Sequence, residues 1–259
     1  QGQGLPGADC PESGQLDYCY QVSGQIDFEG RNVLEIGASM PERFVLDVLG
    51  VRSWTALQPA GGWNPTSDLC SEGGSGDLVD AGLDLSAGAG GYQLMEARLE
   101  DLASQLEGRF DLIFSLQAFQ AIQLLDLALN RMYQLLCDGG ELVASFGPLW
   151  SSSTGHCLQK ITDSIGRTFS FDEGACPLLP WGHLLSTPLD LYFDLCKKMD
   201  KETAGRIVHA VHFSSRLNRY FADDYEQCFG QSPFGIRGTV IGNLKAEAAR
   251  PKVQQVLEG

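Results

Sequence analysis

The sequence predicts an α/β fold, a seven-stranded, mostly parallel sheet flanked by helices, and three stretches predict it. Val33-Leu34-Glu35-Ile36-Gly37 is a short apolar run ending in a glycine. It reads as a buried strand that breaks into a tight loop before a helix, where backbone N–H groups can face a nucleotide-like ligand. Arg109-Phe110-Asp111-Leu112-Ile113-Phe114-Ser115 has the same strand character further along. Leu124 to Leu136 is an amphipathic helix with Leu125, Leu129, Met132 and Leu136 at three- and four-residue steps. It stops at Cys137-Asp138-Gly139-Gly140, where glycine permits a left-handed cap, and a strand over Glu141 to Phe146 follows.

The remaining elements follow in chain order. Residues 1–24 are rich in Gly, Gln, Pro and Ser and lack periodicity, which predicts a flexible arm ahead of a single domain over 25–259. Past Gly37, Pro41 suits a first helical turn, and Phe44, Val45, Val48 and Leu49 keep helical spacing up to Gly50. A second strand runs from Arg52 to Leu57 and ends in Gln58-Pro59, and Tyr92 to Arg98 is the third strand. Between them, 60–91 is Gly-, Ser- and Asp-rich, with too few periodic apolar residues to bury, and reads as a long loop. The core is expected over 30–148. A helical and loop insertion after the fifth strand spans 149–222, including a helix from Lys201 to Phe221, and closing strands lie within 223–245.

Composition bounds the function. Hydrophobic residues make 43% of the chain and charged ones 20%, an ordinary globular balance. No apolar run approaches the roughly 20 residues that cross a bilayer, and no charged-then-apolar leader opens the sequence. A soluble, cytoplasmic protein is the expectation. A formal net charge of −15 argues against nucleic acid or an anionic membrane as the main partner, because both repel it. The eight cysteines include no C-x-x-C pair, so neither a zinc knuckle nor a redox dithiol is predicted.

The motif V-L-E-I-G-x-S resembles the first motif of class I S-adenosylmethionine-dependent methyltransferases, of the methyltransferase type 11-like kind. Leu99-Glu100-Asp101-Leu102 is similar to the family's acidic motif, F-D-L-I-x-S to its fourth strand, and L-x-x-G-G-x-L-x-x-S from Leu136 to its last core motif. The resemblance covers roughly residues 30–148 and implies a Rossmann-like methyltransferase fold with S-adenosylmethionine as cofactor. It places Glu35, Gly37, Ala38 and Ser39 in the loop at the carboxypropyl end, Gln58 at the ribose and Glu100 or Asp101 near the adenine. Ser115 and Gln117 fall at the carboxyl end of the fourth strand. Four departures accompany it. Ser39 stands for a second glycine, Gln58 for the ribose acid about 20 residues beyond the loop, Arg98 for an aspartate, and Gln120-Ala121 for a Glu-His pair.

Gly147-Pro148-Leu149-Trp150-Ser151 with Gly155-His156, and Pro180-Trp181-Gly182-His183-Leu184, resemble blocks of a methyltransferase subgroup. His156 and His183 are the candidate catalytic residues, since an imidazole titrates near neutrality and can take a proton from a nucleophile as the methyl moves. A lone histidine beside glycine is more often structural, and Trp150, Trp181 and Tyr220, which can line a pocket, are residue types more often found in a core. His209 and His212, three apart on a helix, can supply two metal ligands, but no ligand-rich cluster accompanies them and no metal is predicted. The function this implies is methyl transfer to a small-molecule acceptor. The alternative is a catalytically inactive pseudo-methyltransferase acting as a binding or scaffold domain. A nicotinamide dehydrogenase is disfavoured by the single-glycine loop.

Overall fold

The computed structural model describes residues 26–37, 40–58, 91–102, 104–171 and 174–239. Ala38, Ser39, the arm over 1–24, most of the loop over 60–91, the end of the expected late strand and the tail lie outside the described residues.

Five strands form one sheet in the order β3-β2-β1-β4-β5, with β1 Asn32–Ile36, β2 Ser53–Gln58, β3 Tyr92–Glu96, β4 Phe110–Leu116 and β5 Leu136–Ser145. β1 and β2 are parallel with Val33 opposite Trp54, and β2 and β3 are parallel with Ala56 opposite Leu94. That order is the Rossmann-like one, in which the sheet grows outward from β1 in both directions. Burial follows position. Val33 and Leu34 on central β1 are 0% exposed, as expected of a strand covered on both faces, whereas Gln93 and Leu94 on edge strand β3 are exposed. Phe28, Trp54 and Phe114 pack ring to ring at centroid distances of 5.6 to 6.3 Å.

By packing, the chain divides into two compact units, with the division falling inside β4 and β5. Among the described residues the first holds those up to 58, 91–114 and 134–143; the second holds 115–133 and those from 144 on. The second unit has its own core of Leu158, Leu191, Leu195, Ile207 and Val211. Its elements are most of α1 (Leu125–Leu135), the antiparallel pair β6 (Ile161–Thr162) and β7 (Thr168–Phe169), α2 (Gly182–Leu185), α3 (Pro188–Cys196), α4 (Lys201–His212) and α5 (Ala222–Gln231). Side-chain caps start two of these helices: Thr187 Oγ1 accepts from Asp190 N at 3.2 Å, and Asp200 Oδ1 from Thr203 N at 2.9 Å.

The structure corrects several expectations. The sheet has five strands among the described residues, not seven. Where closing strands were expected, Ala222–Gln231 is helix α5, and 232–239 carries no strand. The cause is local: Asp224 Oδ2 accepts from Phe221 N at 2.8 Å, and Asp223 and Asp224 place negative charge in the first turn, where the helix dipole favours it. Helix α4 ends at His212, not Phe221. The Arg219 guanidinium collects carbonyls of the last helical turn and of the chain beyond it, with Nε on Val211 O at 3.1 Å, NH2 on Ser214 O at 2.8 Å and NH1 on Leu217 O at 3.2 Å. The helix expected after Pro41 is one wide π-helical turn, Phe44–Val48, in which only Val45 is buried. Strand β5 begins directly after α1 at Leu136, passing through Gly139 at φ +79°. Among the described residues no helix is long and apolar enough to cross a membrane.

Candidate functional site

In the first unit, three candidate residues follow or end three adjacent parallel strands and so share the carboxyl edge of the sheet. Gly37 follows β1 at φ +119°, a conformation that side-chain-bearing residues rarely adopt, and its N–H donates to Leu57 O at 3.0 Å. Gln58 ends β2, half-buried; its carbonyl accepts from Ala97 N at 3.0 Å, and its carboxamide has no partner among the described residues. Asp101 is exposed at the end of the 3₁₀ turn Leu99–Asp101 that follows β3, with Glu100 in the same turn.

Glu35 has a different place from the one the sequence suggests. It is 0% exposed, and its carboxylate accepts from Met40 N at 3.1 Å and from Trp54 Nε1 at 2.8 Å. The acid thus spans the loop from inside, tying its far side to β2, because a buried carboxylate must be met by donors. Tyr92 holds the same far side, its hydroxyl donating to Met40 O at 3.3 Å. Burial, then the charges of Glu35 and Glu42, push this phenol up to about 12, so it stays a donor. Sequence reading missed Trp54 and Tyr92. The only available signal was Trp54's place in an apolar strand, which does not reveal a partner across the sheet.

The opposite edge of the sheet carries a cavity of about 350 Å³, lined by Arg31, Arg52, Asp111, Asp138 and Glu141 with Gly139. Its polar groups largely satisfy one another. Arg31 pairs with Glu141 at 2.8 Å, and Asp111 accepts from Asn32 N at 2.8 Å and from Cys137 Sγ at 3.4 Å. None of the predicted site residues lies there.

In the second unit, Ser115 is fully buried near the end of β4. Gln117 follows at φ +56°, its N–H on Ser145 O at 2.7 Å. A glutamine in that conformation costs on the order of 1 kcal/mol and persists only where its surroundings impose it. Gln120 Nε2 lies 3.4 Å from Gln117 Oε1, leaving Gln120 Oε1 buried and unpartnered.

His156 and His183 come together, with ring centroids 5.4 Å apart, but both are buried, at 1% and 3% exposure. Leu158 N donates to His156 Nδ1 at 3.1 Å, so the neutral ring carries its proton on Nε2, 3.5 Å from Cys176 Sγ. His183 Nε2 lies 2.8 Å from Trp150 O and must donate to it, which leaves Nδ1 bare and without a partner. Burial lowers both to about 4; the neighbouring His183 adds to the effect at His156, and His212 adds to it at His183, while the bond to Trp150 O opposes it there. Neither ring offers a basic nitrogen to a solvent-borne substrate. Trp150 stacks edge-on to His183 at 4.5 Å and lies under Arg219, while Trp181 Nε1 donates to Ser151 O at 3.0 Å. On α4 His209 is exposed and His212 half-buried beside Trp150, and among the described residues no three potential metal ligands gather.

No protein-family model matches the chain, and no curated protein matches it. Solved structures that resemble it include S-adenosylmethionine-dependent methyltransferases. One from Mesorhizobium loti is 17% identical over 60% of this chain and 63% of its own, with a TM-score of 0.35. DhpI, solved in complex with SAH, is 14% identical over 72% and 77%, with a TM-score of 0.33. A Rhodobacter sphaeroides chain provisionally assigned as a zinc-dependent alcohol dehydrogenase is 15% identical over 85% and 79%, with a TM-score of 0.38. The chain thus spans a little under two thirds of the Mesorhizobium loti protein's length. The fold assignment stands on the chain's own strand order.

Proposed function

We propose that this chain binds S-adenosylmethionine at the carboxyl edge of β1, β2 and β3 and transfers its methyl group to a small-molecule acceptor. The observation that supports this most is the bend at Gly37, braced from within by Glu35, in a sheet of order β3-β2-β1-β4-β5. Sheets of this order bind ligands beyond the carboxyl ends of their strands. The residues present suit the group: the Gly37 backbone allows close approach, the Gln58 carboxamide, without a partner among the described residues, can bond ribose hydroxyls, and exposed Asp101 can accept from the adenine amine.

When bound, S-adenosylmethionine supplies an electrophilic sulfonium methyl. The protein's own part is to hold and align, and alignment alone can supply much of the acceleration. With His156 and His183 buried and lowered to about 4, the acceptor is one whose nucleophile needs no imidazole base. The same burial, with Gln58 in place of an acid, favours a second reading, a binding or scaffold domain without turnover.

Calorimetric titration with S-adenosylmethionine and S-adenosylhomocysteine tests the proposal. Micromolar binding that Gly37→Val abolishes is expected, and no heat at millimolar ligand would overturn it. Tight binding with no conversion of donor across phenol, amine and thiol acceptors would support the second reading.

A further inference from the structure

The turn that follows β4 has few bonds of its own: Ala121 N donates to Ala118 O at 2.9 Å and Ile122 N to Phe119 O at 3.2 Å. A single residue about a hundred positions later supplies more. Asn218 Nδ2 donates to Phe119 O and to Ile122 O, each at 3.0 Å, and Asn218 N donates to Gln120 O at 2.8 Å. Its Oδ1 accepts from Tyr220 N at 3.2 Å and from the Tyr225 hydroxyl at 3.0 Å. The amide orientation is thereby fixed, because the reverse would set donors against donors and acceptors against acceptors. Tyr225 is 4% exposed and its phenol is pushed up by burial, so it remains a proton donor. Two further bonds close the same seam, Gln123 Nε2 to Ser215 O at 2.6 Å and the Tyr220 hydroxyl to Gln123 O at 3.0 Å.

We infer that Asn218 is a positioning residue, which fixes the turn over 118–122 and through it the conformation of Gln117 and the pairing of the Gln117 and Gln120 carboxamides. All these groups lie in the second unit. The turn needs such a hold because it carries a left-handed glutamine and an unpartnered buried amide oxygen, both of which would relax if the backbone were free. The inference goes beyond the methyl-donor reading and does not depend on it, so the two can fail separately.

Hydrogen exchange and two-dimensional NMR on the full chain decide it. In Asn218→Ala, exchange of amides in 118–123 should rise about tenfold or more, because the two side-chain bonds to Phe119 O and Ile122 O are lost while the main-chain bond from Asn218 N to Gln120 O remains. Exchange in α3 and α4 should stay within about twofold, and the side-chain amide signals of Gln117 and Gln120 should shift. Tyr225→Phe removes one hydrogen bond and keeps the ring; about a threefold rise confined to the same segment is expected, and this variant carries the test should Asn218→Ala fail to fold. Unchanged exchange over 118–123, a rise spread evenly through α3 and α4, or unmoved glutamine signals would overturn the inference.

Discussion

Two buried imidazoles make stability depend on pH in a stated direction. His156 and His183 are lowered to about 4 in the folded chain, against an ordinary value near 6.5 when unfolded. Above about 6.5 both states hold them neutral and their contribution is complete. As pH falls toward 4 the unfolded chain takes up protons that the folded chain refuses, and stability is lost across that window. From pH 7 to pH 5 the loss should be on the order of 2 kcal/mol for each ring, less than additive because the charge on one disfavours the other. Urea midpoints at the two pH values measure it, and His183→Phe should flatten the difference. A midpoint that holds steady from pH 7 to 5 would contradict the burial. The sequence made these residues visible as histidines beside glycine and tryptophan. It did not reveal that backbone groups of Leu158 and Trp150 occupy them, since those contacts exist only once the segments around 150, 156 and 183 are packed.

The turn containing Gly155 has no room for a side chain at that position. A Cβ placed there would stand 2.1 Å from Leu149 O and 2.6 Å from Trp150 O, distances no neighbour can relieve without moving main chain. Gly155→Ala should therefore cost about 3 kcal/mol or more, read as a fall in urea midpoint, with Gly166→Ala in the exposed β6–β7 turn costing about 1 kcal/mol. Among elements, the strands were the most legible part of the sequence. β1 to β4 begin and end within two residues of their expected positions; for β1 and β4 the reason is that a strand buried on both faces is a near-continuous apolar run, and edge strand β3, with Gln93 and Leu94 exposed, was bounded by the polar segments around it. The far end of α4 and the whole of α5 were not legible. One is set by a guanidinium arriving from Arg219, the other by the Asp224 carboxylate on Phe221 N, and neither leaves a hydrophobic period behind.

For the whole molecule, the places of Gly37 and Gln58 at strand ends were legible from the apolar run and its spacing, because strand ends recur at the distance a strand–helix–strand unit imposes, whereas Asp101 was singled out only by the resemblance of Leu99-Glu100-Asp101-Leu102 to an acidic motif. The brace of Glu35 by Trp54 was not legible, since register between strands is a property of the assembled sheet. The net charge of −15 works against compactness through self-repulsion. Raising sodium chloride from about 20 to about 200 mM should therefore raise the melting temperature, and a constant value in calorimetry would show the charge to be locally compensated. Arg219 sharpens that imbalance. Its three nitrogens are committed to Val211, Leu217 and Ser214, and its plane rests 5.6 Å from the Trp150 ring. An anionic guest nearing that end of the molecule therefore meets a cation already turned inward, a positive charge that serves as mortar and greets no visitor.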